Sequence, residues 1–411
     1  MSKLLYIIAP ILFLATAASA QWTEPMRISH GFGLLDPQAV VIGDTIHVVA
    51  YNNDLIYMRS EDNGNTWTYP AILFDTTYVS LSIPGIAYGN NKIHLTWVAW
   101  MQETSPRQIY HSCSSDGGRT WGEWSQVFNN SSSLIAYPRI AVNGDTLFLS
   151  CKMSPDLLTF RSFDSGISWR DSTVVENDQS GIFQPPYIFF TQDRLHLIYQ
   201  LEILDDSLGV EIYHRFSDDY GLTWNDRLPL STVEQHPYNI VSQAPSACVG
   251  LDGTIMALWS DWKYGGWDIL IRVSLDNGLS WLPESRVTYG HHGLCSSCVI
   301  IDSVLYAVWE DALPGNFLYF KIMSSVSHDR GLSWAEPDVI SGPAEMNDYT
   351  PALLFNTSEG YSTFHCVFRR VVLGQGSDLF YIRKIQSTGI QEDGGNVVHG
   401  FASLIAYPNP F

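Results

Sequence analysis

Three kinds of side chain in this sequence could act together on a ligand. Asp261, Glu310 and Asp311 are carboxylates ending apolar, strand-like runs in neighbouring repeats. Two carboxylates flanking a glycosidic bond can hydrolyse it, with retention at roughly 5 Å separation and inversion at roughly 6.5–9.5 Å. Arg139, Arg369 and Arg370 carry the planar, forked cation that grips a carboxylate. Trp262, Tyr264, Trp267 and Tyr349 offer flat apolar rings that could face a sugar. Such a mixture suits a carbohydrate, and it equally suits ordinary loop packing, so placement has to decide.

Other reactive types are set aside. His291, His292, Cys295 and Cys298 lie close in sequence and are potential metal ligands. Cys298, however, occupies the repeat position of Cys248, and strand residues three apart face opposite sides. No metal and no cofactor are expected. His47, His94, His196 and His365 share one repeat position that Phe148, Met256 and Tyr306 fill elsewhere, which is a packing choice. Cys113, Cys151, Cys248, Cys298 and Cys366 fall in strand patterns of different repeats, so buried free thiols are expected rather than disulfides.

The elements that must position these residues are announced by a repeat. Ser-x-Asp-x-Gly-x-(Ser/Thr)-Trp occurs six times, with aspartates at Asp62, Asp116, Asp164, Asp219, Asp276 and Asp329. A step near fifty residues marks an array of similar supersecondary units. Each copy makes sense as a hairpin turn. Its glycine supplies a positive φ, its Asp accepts backbone N–H groups, and its Trp packs beside the sheet. A calcium loop is disfavoured, because no copy carries the bidentate Glu that an EF-hand loop needs. The pattern resembles the Asp-box, or bacterial neuraminidase repeat, of sialidases and other β-propellers, and the resemblance spans most of the chain.

Before each box run three strands. A first strand ends in a Gly/Asn/Asp turn such as Gly43-Asp44, a second reads like Ile93–Trp97 or Leu305–Trp309, and a third ends in the box. A seventh triplet, Thr350–Phe355, Tyr361–Phe368 and Asp378–Ile385, has no box. Its missing strand is found at the other end, where Trp22–Ser29 matches Trp334–Ser341 at Trp, Glu, Pro, Ile and Ser. An all-β, seven-bladed β-propeller is therefore expected, closed by the N-terminal strand, which protects sheet edges. The six boxes alone would count the six blades of a sialidase, the alternative.

The ends suggest export. Residues 1–20 read as a signal peptide, with Lys3, an apolar run and Ala18-Ser19-Ala20. The propeller is expected over 21–385 and a linker over 386–402. Residues 403–411, with Tyr407-Pro408-Asn409-Pro410-Phe411, resemble the opening of the C-terminal sorting domain of type IX secretion. That domain continues further in its family, so a truncated copy is expected, and the secretion machinery becomes an expected partner. No membrane span is expected, and the location is the cell surface or the medium of a bacterium. A net charge of -20 argues against nucleic acid and makes anionic ligands hard to hold unless local arginines reverse the field.

In propellers with these boxes the functional face is the opposite one, so the resemblance places the site where first strands begin and second strands end. It implies sialidase chemistry only if three arginines clamp a carboxylate beside a Tyr–Glu nucleophile and an Asp acid. Arg139 and Arg369 or Arg370 supply two candidates, and a third is not evident. A monomeric glycan- or protein-binding module is the favoured expectation, and a glycoside hydrolase, exo-sialidase or other, is the alternative.

Overall fold

The structure is a computed structural model. It describes residues 21–387 except 75–79, 101–105, 130–134, 154, 171, 178–185, 192, 204–208, 232–241, 291, 314–315, 343–345, 359, 373 and 375, together with 404–405. The expected signal peptide and most of the expected linker and sorting motif lie outside the described residues. Leu404–Ile405 forms a short strand antiparallel to Gln38 and Ala39.

The described chain is all-β, and its strands form seven antiparallel sheets. Their first strands are Leu35–Ile42, Ser80–Gly89, Ile135–Asn143, Tyr187–Phe190, Ser242–Val249, Leu294–Ile301 and Asn347–Ser358, one per blade, numbered 1 to 7 here. Each blade meanders outward from its first strand, and the first strands of neighbouring blades touch around a closed ring. No helix among the described residues is long and apolar enough to cross a membrane.

Second strands are buried on both faces, because every blade is sandwiched between two others. Ile255–Asp261 is buried at every residue. Polar residues inside such strands must find partners. His47 and His365 meet the hydroxyls of Tyr57 and Tyr381 at 2.6 and 2.7 Å. His94 and His196 meet His111 and His214 at 3.1 and 3.0 Å. Burial pushes the imidazoles of His47, His94 and His365 down to about 3, so they stay neutral. All six cysteines are free thiols.

The six repeat turns share one hydrogen-bond scheme. In the first, Ser60 Oγ donates to Asp62 Oδ1 at 2.8 Å and accepts from Gly64 N at 2.9 Å. Thr66 donates its N–H to Asp62 Oδ1 and its hydroxyl to Oδ2, at 2.8 and 2.6 Å. In the second, the corresponding Thr120 bonds hold the Asp116 carboxyl well below the usual carboxylate range. The turns also staple blades together. Trp67, Trp121, Trp169 and Trp281 set their rings edge-on to Tyr381, Tyr57, His111 and His214 of the preceding blade.

The last blade borrows its fourth strand from the N-terminus. Met26 and Arg27 pair with Tyr381 and Phe380, so the order is Met26–Arg27, Gly376–Ser387, Tyr361–Val372, Asn347–Ser358. The third strand runs to Ser387, two residues past the expected boundary. A side-chain clamp secures the join: Asp378 accepts from Arg27 Nη2, from Ser29 Oγ at 2.7 Å and from Gly31 N at 2.9 Å. Blade 5 builds the same clamp within one continuous segment, with Asp268 accepting from Arg286, Thr288 and Gly290.

Candidate functional site

First strands begin on the face away from the repeat turns, and there the backbone departs from regular pairing. Six first strands show a register break, between Leu35 and Gln38, Ser82 and Gly85, Ala136 and Arg139, Gln243 and Ser246, Leu294 and Ser297, and Tyr349 and Ala352. Five of these bulges hold a non-glycine residue at positive φ: Asp36 at 43°, Tyr137 at 61°, Ala244 at 52°, Cys295 at 48° and Thr350 at 49°. Such conformations are costly, and they recur where a bulge re-aims a side chain. Here they sit together at one mouth of the central channel.

A charged cluster gathers at that mouth from several blades. Glu310, at the end of its second strand, is fully buried, and its Oε2 accepts Thr350 N at 2.8 Å. Burial raises its carboxyl to about 7, against the opposing pull of that bond and of Arg369. Asp36 is buried and also raised by burial, although Arg369, a hydrogen bond from Tyr51 at 3.2 Å and Arg139 all act to lower it. Arg369 stacks over the Tyr349 ring at 4.8 Å. Burial raises the Tyr349 phenol, and the Glu310 charge adds to that shift. Tyr137 feels Arg107, Arg139 and Asp36. Two carboxyls, three arginines and three tyrosines thus share one electrostatic neighbourhood. Of these, Tyr51, Tyr137, Tyr349, Arg107 and Arg369 are half-buried, while Asp36, Arg139 and Glu310 are buried.

The expected site residues divide among separate places. Arg139, Tyr349, Arg369 and Glu310 come together at the mouth. Asp261 belongs to another network: its carboxylate accepts Ser242 Oγ, Trp259 Nε1 and Lys263 N at 2.8, 3.0 and 2.8 Å. Asp311 repeats that arrangement in the next blade, accepting Trp309 Nε1 at 3.0 Å and His292 N at 2.8 Å. Both aspartates therefore fasten strand ends, and the mouth acid facing Glu310 is Asp36. Arg370 is pinned by Asp348, at 2.5 Å through Nε and 2.9 Å through Nη2, with Lys321 on the same carboxylate at 3.2 Å. Trp262, Tyr264 and Trp267 sit in the connection between the second and third strands of blade 5, with Trp267 packed against Ala244, Leu294 and Cys295.

Asp36, Tyr51 and Arg107 were not singled out from sequence. Asp36 had a signal: Asp36-Pro37-Gln38 stands in register with Tyr137-Pro138-Arg139, Ala244-Pro245-Ser246 and Thr350-Pro351-Ala352. A cavity of about 440 Å³ opens at the opposite mouth, lined by Val40, Ala87, Val142, Phe189, Cys248 and Phe355 among others. Among the described residues, no charged side chain lines it.

No protein-family profile matches the sequence, and no curated protein matches it. Among solved structures the chain is similar to a protein of unknown function from Dyadobacter fermentans. That match has a TM-score of 0.52 and 13% identity, and covers 90% of this chain and all of the other. Penicillium chrysogenum α-L-arabinanase complexed with arabinobiose gives a TM-score of 0.49 and 17% identity, over 75% of this chain and 93% of that one. Trypanosoma rangeli sialidase gives 0.47 and 16%, over 79% and 57%. At these identities a likeness bears on fold alone.

Proposed function

We propose that this is an exported, cell-surface or secreted propeller that binds a carboxylate-bearing glycan at the channel mouth away from the repeat turns. The observation that carries the proposal is the meeting of Arg107, Arg139 and Arg369, from three different blades, around Asp36 and Tyr137. Among the described residues at the mouth, these three arginines face the carboxyls of Asp36 and Glu310, the latter raised to about 7 by burial, inside a chain of net charge -20. A local positive field in an acidic protein focuses an anionic ligand on one spot. Half-buried tyrosines beside it supply ring faces for the sugar. The deep burial of Asp36, Glu310 and Arg139 favours binding over turnover, since a general acid has to reach its substrate.

A glycan array including sialosides and uronic-acid oligosaccharides tests this. Saturable binding to an acidic member is expected, with affinity at least about tenfold lower in Arg369→Ala, the scale of one charge-assisted contact. Unchanged binding in both Arg369→Ala and Tyr349→Ala would remove the mouth from consideration.

One observation favours a second reading, a glycoside hydrolase. Tyr349 lies in the field of Glu310, and both Glu310 and Asp36 are raised towards the range of a general acid. Turnover of an aryl sialoside or another aryl glycoside, abolished in Glu310→Gln, would establish it. Binding without product would leave the protein a binding module.

A further inference from the structure

We propose that blade 5 carries a second carbohydrate platform, made by Trp262, Tyr264 and Tyr289, that takes a neutral oligosaccharide. The proposal shares with the preceding one the premise of a glycan ligand but none of its residues. These three aromatic side chains are 39%, 49% and 69% exposed, whereas most large rings among the described residues are buried or half-buried. They are also held in place. Trp262 meets Trp267 edge-on, with ring centroids 5.4 Å apart. Trp267 packs in turn against Ala244, Leu294 and Cys295, at the bulged strand starts. The Arg286 guanidinium sits 4.0 Å from the Tyr264 ring and 4.6 Å from the Tyr289 ring, joining the two.

Fixed rings lose little conformational entropy when a ligand covers them, which is what makes exposed aromatics good contact surfaces. Tyr264 lies between the second and third strands and Tyr289 follows the fourth, so both belong to the face that carries the mouth. The charges of the patch choose the ligand class. Arg286 is neutralised by Asp268 at 2.5 Å, and Lys263 by Glu284 at 2.8 Å, with both of the latter side chains nearly buried. Among the described residues each cation of the patch has a carboxylate partner, Lys263 feeling Asp261 as well as Glu284, so the patch presents ring faces without the uncompensated positive charge that would select an anion. A neutral sugar chain, with alternating apolar ring faces and hydroxyls, fits such a surface.

Calorimetric titration of the intact protein with cello-, xylo-, manno- and maltohexaose, and with hexagalacturonate as the anionic control, tests the proposal. Saturable binding of a neutral hexamer is expected. It should weaken at least about tenfold in Trp262→Ala and in Tyr289→Ala, whose melting temperatures should match the wild type, and persist in Arg369→Ala. Silence with all four neutral hexamers overturns the platform, whatever the mouth binds. Neutral binding lost in Arg369→Ala but kept in Trp262→Ala also overturns it, by assigning the sugar to the mouth. Failure of the wild type to bind any acidic glycan, with neutral binding present, would count against the mouth and leave the platform standing.

Discussion

Glu310 is an acid kept in a dry site, and that has a measurable cost. Its ordinary value of 4.5 is raised to about 7 by burial. Between those limits the folded protein holds a proton that the unfolded chain has released, so stability falls as pH rises. Below 4.5 both states are protonated, and above about 7 both are ionised, so the loss is confined to that window. Two and a half units correspond to about 3 kcal/mol. Glu310→Gln keeps an acceptor for Thr350 N and never ionises. Urea denaturation of both proteins from pH 4 to 8 should show the wild type losing about 3 kcal/mol relative to the variant across the window. A constant difference would mean that Glu310 titrates alike in the folded and unfolded states, and that its site is not dry. Arg369 is the counterpart: it lowers both Glu310 and Asp36, so its removal should push both acids higher.

At the scale of the element, the repeat turn does two jobs, and setting its glycine against one from another turn separates them. Gly118 has a φ of 75°, and a Cβ there would lie 1.9 Å from the Tyr57 hydroxyl and 3.3 Å from His47 Nδ1. Gly253, in the turn between the first and second strands of blade 5 and not in a repeat turn, has a φ of 82° with nothing within 4 Å of such a Cβ. Gly253→Ala therefore carries only the left-handed backbone cost, about 1–2 kcal/mol. Gly118→Ala adds overpacking against the neighbouring blade, about 1–3 kcal/mol more. Chemical denaturation should rank the two in that order, and equal losses would mean that the turn does not press on its neighbour. Gly64, Gly166, Gly278 and Gly331 make the same close approach, with a Cβ falling within 3 Å of a side chain, whereas Gly221 does not. The sequence pattern shows a turn, and the structure adds that the turn leans on the third strand of the blade before it.

At the scale of the molecule, the ring is closed by a strand whose partner is some 350 residues away in the chain: Ser29 Oγ and Asp378 are separated by 349 positions. Asp378→Ala strands Arg27 and Ser29 at that join and should cost about 3 kcal/mol, the lower end for a broken buried pair because Arg27 is partly exposed. Asp268→Ala breaks the equivalent clamp in blade 5, whose fourth strand is tethered within its own repeat. Hydrogen exchange should distinguish them: only Asp378→Ala is expected to free the amide of Ile28, which bonds Leu379 O at 2.9 Å. Equal protection of Ile28 in both variants would show that the seam is no weaker than a continuous blade.

Much of the architecture could be read directly. Seven blades, the turn on each boxed blade, the borrowed strand of Trp22–Ser29 and the packing role of four histidines all follow from local chemistry repeated in register. Turn residues, strand alternation and repeat position act over a few residues, so a linear pattern carries them. The site is different. Asp261 and Glu310 look alike as strand-end acids, yet three donors tie down the first, while the second lies buried beside Arg369. Arg369 and Arg370 are neighbours, but consecutive strand residues face opposite sides, so one meets Tyr349 and the other Asp348. Asp36 joins Arg369 only because the first and last blades meet in the closed ring. The sequence by itself determined the number of blades and how each is turned and sealed. Which charges confront one another was decided by ring closure, since that alone brings residues from opposite ends of the chain to one mouth.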